Sequence, residues 1–179
     1  MNAIAVFPQN GCVCFFQENG KKKTRVMFCL ENFQKNCIHA IHIHEYGDMT
    51  DGCNSLGKHF NPSNEKHGKH AGDLIKNFQA DEHGQFHYSY IDDQFSVNEI
   101  LGRSVVIHEY PDDLGDSSIY LSLSNKDLTH LCIERGYKNV KTKKQKLDKL
   151  VSESEISGNA GKRLLCSIIG RTARNQVIS

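Results

Sequence analysis

Short apolar runs separated by turn residues fill the first half of the chain. Residues 3–8 (AIAVFP), 12–17 (CVCFFQ), 24–31 (TRVMFCLE) and 38–44 (IHAIHIH) are rich in Val, Ile, Phe and Cys, and Gln9-Asn10-Gly11 and Asn19-Gly20 supply turn material. Runs of this length and composition predict strands. Strand signals return at 74–80 and 85–91, with Asp81-Glu82-His83-Gly84 reading as a hairpin turn between them, and again at 100–108 and 163–169. About eight short strands predict an all-β sandwich or barrel, in one domain over 1–179.

Two segments break the pattern. Residues 45–72 are rich in Gly, Asn, Asp, Ser and His and have no periodicity. A loop of that length inside one domain is usually functional. The second is 116–156, where Leu128, Leu131, Ile133, Leu147, Leu150 and Val151 lie near six lysines in 138–149. This predicts one or two surface helices, with the lysines on a solvated face.

The charge balance changes the picture by exclusion. Lys+Arg 22 against Asp+Glu 21 leaves a formal charge of +1. That near balance removes the electrostatic case for a dedicated nucleic-acid binder. No apolar run approaches the roughly 20 residues of a membrane-spanning helix. The start, MNAIAVFPQNG, has neither a basic segment nor an apolar leader, so a cytoplasmic protein is expected. Seven cysteines is an odd number, and ten histidines is a high one. In a reducing compartment that combination suggests metal or redox chemistry, or buried thiols.

The histidines carry the chemistry. On a strand, His42 and His44 of Ile41-His42-Ile43-His44 share one face, about 7 Å apart, and could share a metal. Taken alone, a His-x-His fits the polar outer face of a strand better. Within the loop, His59, His67, His70 and Asp73 offer four N/O ligands in short order, a set that suits Zn²⁺. His108 ends the apolar run Val105-Val106-Ile107 and could join His42 and His44 from a neighbouring strand. Sites of several imidazoles favour copper, which tops the divalent affinity series.

Several stretches together carry a resemblance. They are His42-Ile43-His44-Glu45-Tyr46-Gly47-Asp48, Gly52-Cys53, Gly57-Lys58-His59-Phe60-Asn61-Pro62, Lys66-His67-Gly68 and His70-Ala71-Gly72-Asp73. Leu101 to Glu109, Asp112-Asp113-Leu114-Gly115 and Gly158-Asn159-Ala160-Gly161-Lys162-Arg163-Leu164-Leu165-Cys166 follow in order. The sequence resembles the copper/zinc superoxide dismutase family over about residues 3–170, interrupted at 116–156.

The resemblance implies an eight-stranded Greek-key β-sandwich with long metal-binding and electrostatic loops, 116–156 being an insert in the latter. It implies copper on His42, His44, His59 and His108, and zinc on His59, His67, His70 and Asp73, with His59 bridging. It implies a disulfide between Cys53 and Cys166, an anion-guiding Arg163, and Asp112 accepting hydrogen bonds from His42 and His67. The implied activity is disproportionation of superoxide, with His59 and Arg163 as the catalytic side chains. A homodimer and a copper-loading chaperone are the implied partners.

The chain departs from the family pattern in three places. Only Gly68 and Lys69 separate His67 from His70, which demands a tight turn. Segment 116–156 carries eight Lys/Arg against six Asp/Glu, which suggests weak steering of an anion. Arg171 follows Gly170, where the family has an apolar residue near its dimer contact. Two rival functions follow from the same features: a metal-binding module without turnover, and an interaction protein that docks through the insert.

Overall fold

Alternation of apolar and polar side chains builds both layers. In the computed structural model, which describes residues 1–17 and 23–173, nine strands form two antiparallel sheets. The first contains β1 (Asn2–Phe7), β2 (Gly11–Gln17), β3 (Thr24–Leu30), β6 (Phe86–Asp92) and the two-residue β9 (Gly170–Arg171), in the order β6-β3-β2-β1-β9. The second contains β4 (Ile38–His44), β5 (Lys76–Gln79), β7 (Ser104–His108) and β8 (Arg163–Ile168), in the order β5-β4-β7-β8. Inward positions of both sheets, among them Phe7, Phe15, Phe28, Ile41, Ile43, Phe78 and Ile107, are fully buried and form one core.

This is the all-β sandwich expected from the sequence, with local corrections. The expected hairpin between 74–80 and 85–91 is not one. A turn does close there, with Gly84 N–H donating to Asp81 O and Asp81 N–H to Gln85 O. Yet β5 pairs with β4 while β6 pairs with β3, so the chain crosses from one sheet to the other. The run expected as a strand over 100–108 begins with the end of a helical turn, α1 (Val97–Ile100), and the strand starts at Ser104. A capping box between Ser96 and Glu99 starts that turn, and Val97 and Ile100 bury its apolar side. The turn expected at Asn19-Gly20 lies outside the described residues.

The insert forms two helices, α2 (Asn125–Glu134) and α3 (Lys143–Ser157). Ser124 caps the first by accepting from Asp127 N–H. Thr142 caps the second in a capping box with Gln145. Tyr120, Leu128, Cys132 and Leu150 make a second, smaller core between them. The lysine run is not wholly a solvated face: Lys146 is 6% exposed, and its amine donates to Asn125 Oδ1 and Thr129 Oγ1. Polar partners from the other helix thus satisfy its buried head.

Candidate metal centre

The pleat of β4 sets the site. Ile41 and Ile43 point into the sandwich core, so His42 and His44 point to the opposite face, where the loop 45–73 folds over them. Loop and strand are pinned by Glu45 N–H to Lys58 O and Phe60 N–H to Ile43 O, and Gly72 N–H donates to Phe60 O. These bonds lay His59 beside His42, with ring centroids 4.0 Å apart. β7 adds His108 from the adjoining strand, and its Nε2 lies 3.3 Å from His44 Nε2.

The tight turn between His67 and His70 closes through Lys69 N–H to Lys66 O, with Gly68 at φ +85. A 3-10 turn over Ala71–Asp73 follows, in which His70 N–H donates to Asp73 Oδ2. Asp73 Oδ1 then lies 3.1 Å from His59 Nδ1, 3.3 Å from His70 Nδ1 and 3.9 Å from His67 Nδ1. The shortened spacing therefore preserves the ligand group. Two such groups are complete and buried: His42, His44, His59 and His108; and His59, His67, His70 and Asp73. His59 belongs to both.

Hydrogen bonds on the outward ring nitrogens decide which lone pairs face inward. His42 Nε2–H donates to Asp112 Oδ2, leaving Nδ1 inward; His44 Nδ1–H donates to Gly57 O and His108 Nδ1–H to Gly161 O, leaving their Nε2 atoms inward. His42 Nδ1, His59 Nε2, His67 Nδ1 and His70 Nδ1 are buried without a hydrogen-bond partner among the described residues. Orphaned buried acceptors are costly, and clusters of them call for a ligand. The separations around Asp73 span the edge of about 3.3 Å expected of a tetrahedron with metal–ligand bonds near 2.0 Å. Copper and zinc fit these donors: imidazoles alone for the first group, three imidazoles and a carboxylate for the second.

The electrostatics agree. Burial, then the neighbouring His108, lower His42 to about 4, against the pull of its bond to Asp112. Burial lowers His59 and His108 to about 3, and holds His44 well below the usual range. These rings are neutral at pH 7, the state a metal ligand needs. Burial alone would raise the Asp73 and Asp112 carboxyls, but hydrogen bonds from the histidines hold both well below the ordinary carboxylate range. His67 runs the other way: burial opposes protonation, yet its bonds to Asp112 raise its pKa.

The remaining residues singled out in the sequence lie around this centre. Cys53 and Cys166 form a disulfide with Cα atoms 5.8 Å apart, joining the loop to β8. Arg163, at the start of β8, is half-buried and donates from its guanidinium to the carbonyls of Cys53 and Gly57. The Gly57 carbonyl also accepts from His44 Nδ1–H, so the guanidinium and the imidazole group share one backbone oxygen. Asp112 accepts from His42 and His67 together, and its own backbone is locked by Asn77 on both sides: Asp112 N–H donates to Asn77 Oδ1, and Asn77 Nδ2–H to Asp112 O.

Three contributors were not identified from the sequence. Asp113 accepts from Tyr120 Oη–H, Ser154 Oγ–H and Asn159 Nδ2–H, which ties the insert to the residue beside Asp112. Gly158 ends α3 in the left-handed conformation, and a Cβ there would overlap Asp112 Oδ1 and crowd His67 Nε2. Asn77 is the third. The adjacent pair Asp112-Asp113 and the sequence Gly158-Asn159 were visible signals, but their partners are distant in the chain.

The family model for copper/zinc superoxide dismutase (SODC) matches residues 9–133. A copper/zinc superoxide dismutase of Paramecium bursaria Chlorella virus 1 is 34% identical over 98% of this chain and 81% of its own length. That of Onchocerca volvulus is 35% identical over 94% of both chains. The human copper chaperone for superoxide dismutase is 35% identical over 76% of this chain, which spans only 40% of the chaperone. Among solved structures, the clock protein EA4 superimposes with a TM-score of 0.69 at 30% identity, over 94% of this chain and 93% of EA4. With a family match over most of its length and two ligand groups that suit the family's copper and zinc, the chain belongs to the copper/zinc superoxide dismutase family.

Proposed function

We propose that the protein is an active superoxide dismutase, converting two superoxide anions and two protons to dioxygen and hydrogen peroxide. The observation that carries this reading is the complete pair of ligand groups sharing His59, with Arg163 fixed beside the all-imidazole group. His42, His44, His59 and His108 would hold copper, and His59, His67, His70 and Asp73 zinc. Bound there, copper supplies a one-electron couple, while zinc, which has no redox chemistry, supplies fixed charge and geometry.

This chain's residues do the rest. Arg163 keeps its charge at any working pH and presents a forked donor to a small anion. The Cys53 and Gly57 carbonyls hold that fork in place, which reduces the ordering needed when substrate arrives. His59 takes up a proton at Nε2 and passes it to the nascent peroxide, while its Nδ1 stays beside Asp73. Asp112 holds the His42 and His67 rings in their tautomers.

The rival is a copper-handling module without turnover, as the likeness to copper chaperones suggests. Such a module has no need of a complete imidazole set with a carbonyl-braced arginine, and both are present here. The insert's contribution to steering is reduced by its own pairing: Lys144 and Lys149 are matched by Asp148 and Glu153, and Lys146 is buried. We read the protein as a cytoplasmic homodimer loaded with copper by a chaperone. The partly exposed Met49 and Ile168 support an apolar contact between copies despite Arg171.

The test is the decay rate of superoxide with copper/zinc-loaded protein beside a zinc-only control. Fast, copper-dependent decay is expected. No decay above the control, with copper shown to be bound, would leave the metal-binding module as the function.

A further inference from the structure

The outer face of the first sheet carries a sulfur cluster that the histidine centre does not use. Val13 and Phe15 of β2 point into the core, so Cys12 and Cys14 point outward together. Their sulfurs are 3.8 Å apart. Cys12 is directly opposite Cys29 of β3, and Cys14 is opposite Met27. Cys29 in turn is opposite His87 of β6. Three thiols, one thioether and one imidazole thus share one patch. None of these thiols belongs to the disulfide.

We propose that Cys12, Cys14 and Cys29 form a second metal site, for a thiophilic monovalent cation of the Cu(I) type. With metal–sulfur bonds near 2.3 Å, three thiolates around one ion sit about 3.8 Å apart in tetrahedral geometry and about 4.0 Å apart in a plane. Cys12 and Cys14 already stand at that separation. Directly opposite residues in an antiparallel pair have Cβ atoms about 4.5–5.5 Å apart, so rotation of the Cys29 side chain brings its sulfur to the pair. Thiolate and thioether donors select soft cations, and Met27 supplies the thioether beside the thiols. Burial, and then the Cys12 thiolate, raise the Cys29 pKa, a repulsion that a bound cation would replace with attraction. Cys12 and Cys29 are partly exposed, which gives an entry path, while Cys14 is 4% exposed and shields the ion from one side. The site is on the outside of the sandwich layer formed by β1, β2, β3 and β6, whereas the histidine centre is built on β4 and β7.

The experiment uses the full chain, with copper and zinc in the histidine groups and the Cys53–Cys166 disulfide intact, held without oxygen. Cu(I) is supplied from its bicinchoninate complex. One further equivalent should be withdrawn from the competitor, with thiolate-to-copper charge-transfer absorption. Cys12→Ser and Cys29→Ser should each abolish that absorption while leaving superoxide decay and the visible copper spectrum unchanged, which also shows that the fold is intact. No further equivalent in the native chain would overturn the site. So would retention of the extra equivalent in both variants, or a Cys12–Cys29 disulfide in the anaerobically prepared protein.

Discussion

His42 and His67, one from each ligand group, donate to the same carboxylate: Asp112 Oδ2 lies 2.7 Å from His42 Nε2, and Oδ1 lies 2.9 Å from His67 Nε2. One side chain therefore sets the ring orientation on both sides of His59. Replacing Asp112 with Ala should weaken both metals together, each by about 10–100-fold. Competition against a graded series of chelators reads this directly. Loss of one metal alone would show that the two orientations are set independently.

Acid should destabilise the metal-free protein well before its carboxylates protonate. His42, His59 and His108 have folded pKa values of about 4, 3 and 3 against 6.5 for the ordinary side chain. Below pH 6.5 the unfolded chain binds protons that the folded chain refuses, so stability falls as pH drops from 6.5 towards 3. His67 has a raised pKa, and its contribution is present below 6.5 and lost as pH rises through the folded value, so it opposes the trend. With His44, also lowered, four rings outweigh the one raised ring. Denaturant midpoints of the metal-free protein at pH 7 and pH 4.5 should differ clearly, with the lower at pH 4.5; equal midpoints would count against neutral buried rings.

Gly158→Ala should damage the metal centre although Gly158 touches no metal. Its φ of +63 is costly for alanine, at about 1–2 kcal/mol. The added Cβ would also press on Asp112 and His67. Zinc affinity should fall more than copper affinity, because the Cβ meets Asp112 Oδ1 and His67 Nε2, the two atoms of the zinc-side bond, whereas His42 bonds Oδ2. Calorimetric titration of each metal into the variant distinguishes this from plain destabilisation, which would lower both equally.

Reduction of Cys53–Cys166 should cost about 3–5 kcal/mol by the chain-entropy model, since the closed loop spans a sequence separation of 113. It should also slow turnover, because the Cys53 carbonyl that holds Arg163 belongs to the released loop. A reduced, metal-loaded protein with unchanged rate and unchanged salt dependence would show that the carbonyls hold Arg163 without the covalent link.

The strands and ligands were legible in the sequence for a local reason. Alternation places Ile41 and Ile43 inward and His42 and His44 outward without knowledge of any other segment, and the spacing of His67, His70 and Asp73 needs only one tight turn. What could not be read depends on distant partners. The crossing of β5 and β6 into different sheets follows from pairing with β4 and β3, not from the turn between them. Burial of Lys146 depends on Asn125 and Thr129 of the other helix. α1 has a local signal in Ser96 and Glu99, but the adjoining apolar run, 100–108, has the composition of continuous strand.

Asp113→Ala should loosen the insert by about 3 kcal/mol, since three donors of Tyr120, Ser154 and Asn159, besides Gly115 N–H, lose a charged acceptor. Amide exchange across α2 and α3 should accelerate while the β-sheets stay protected. Uniform acceleration would mean that the insert and the sandwich unfold as one unit.

The attachment at Asp113 also makes the insert unequal along its length for anyone who wishes to engineer it. Its root, from Asp113 to Tyr120 and from Ser154 to Asn159, shares a dipeptide with the residue that orients two metal-bound rings. Its far end, the exposed link from Gly136 to Lys141 between the helices, is outside that arrangement apart from Tyr137 and Val140. Cargo such as a fluorophore or an affinity peptide belongs at Lys138-Asn139, whereas excision of the whole appendage would be surgery on the metal centre itself.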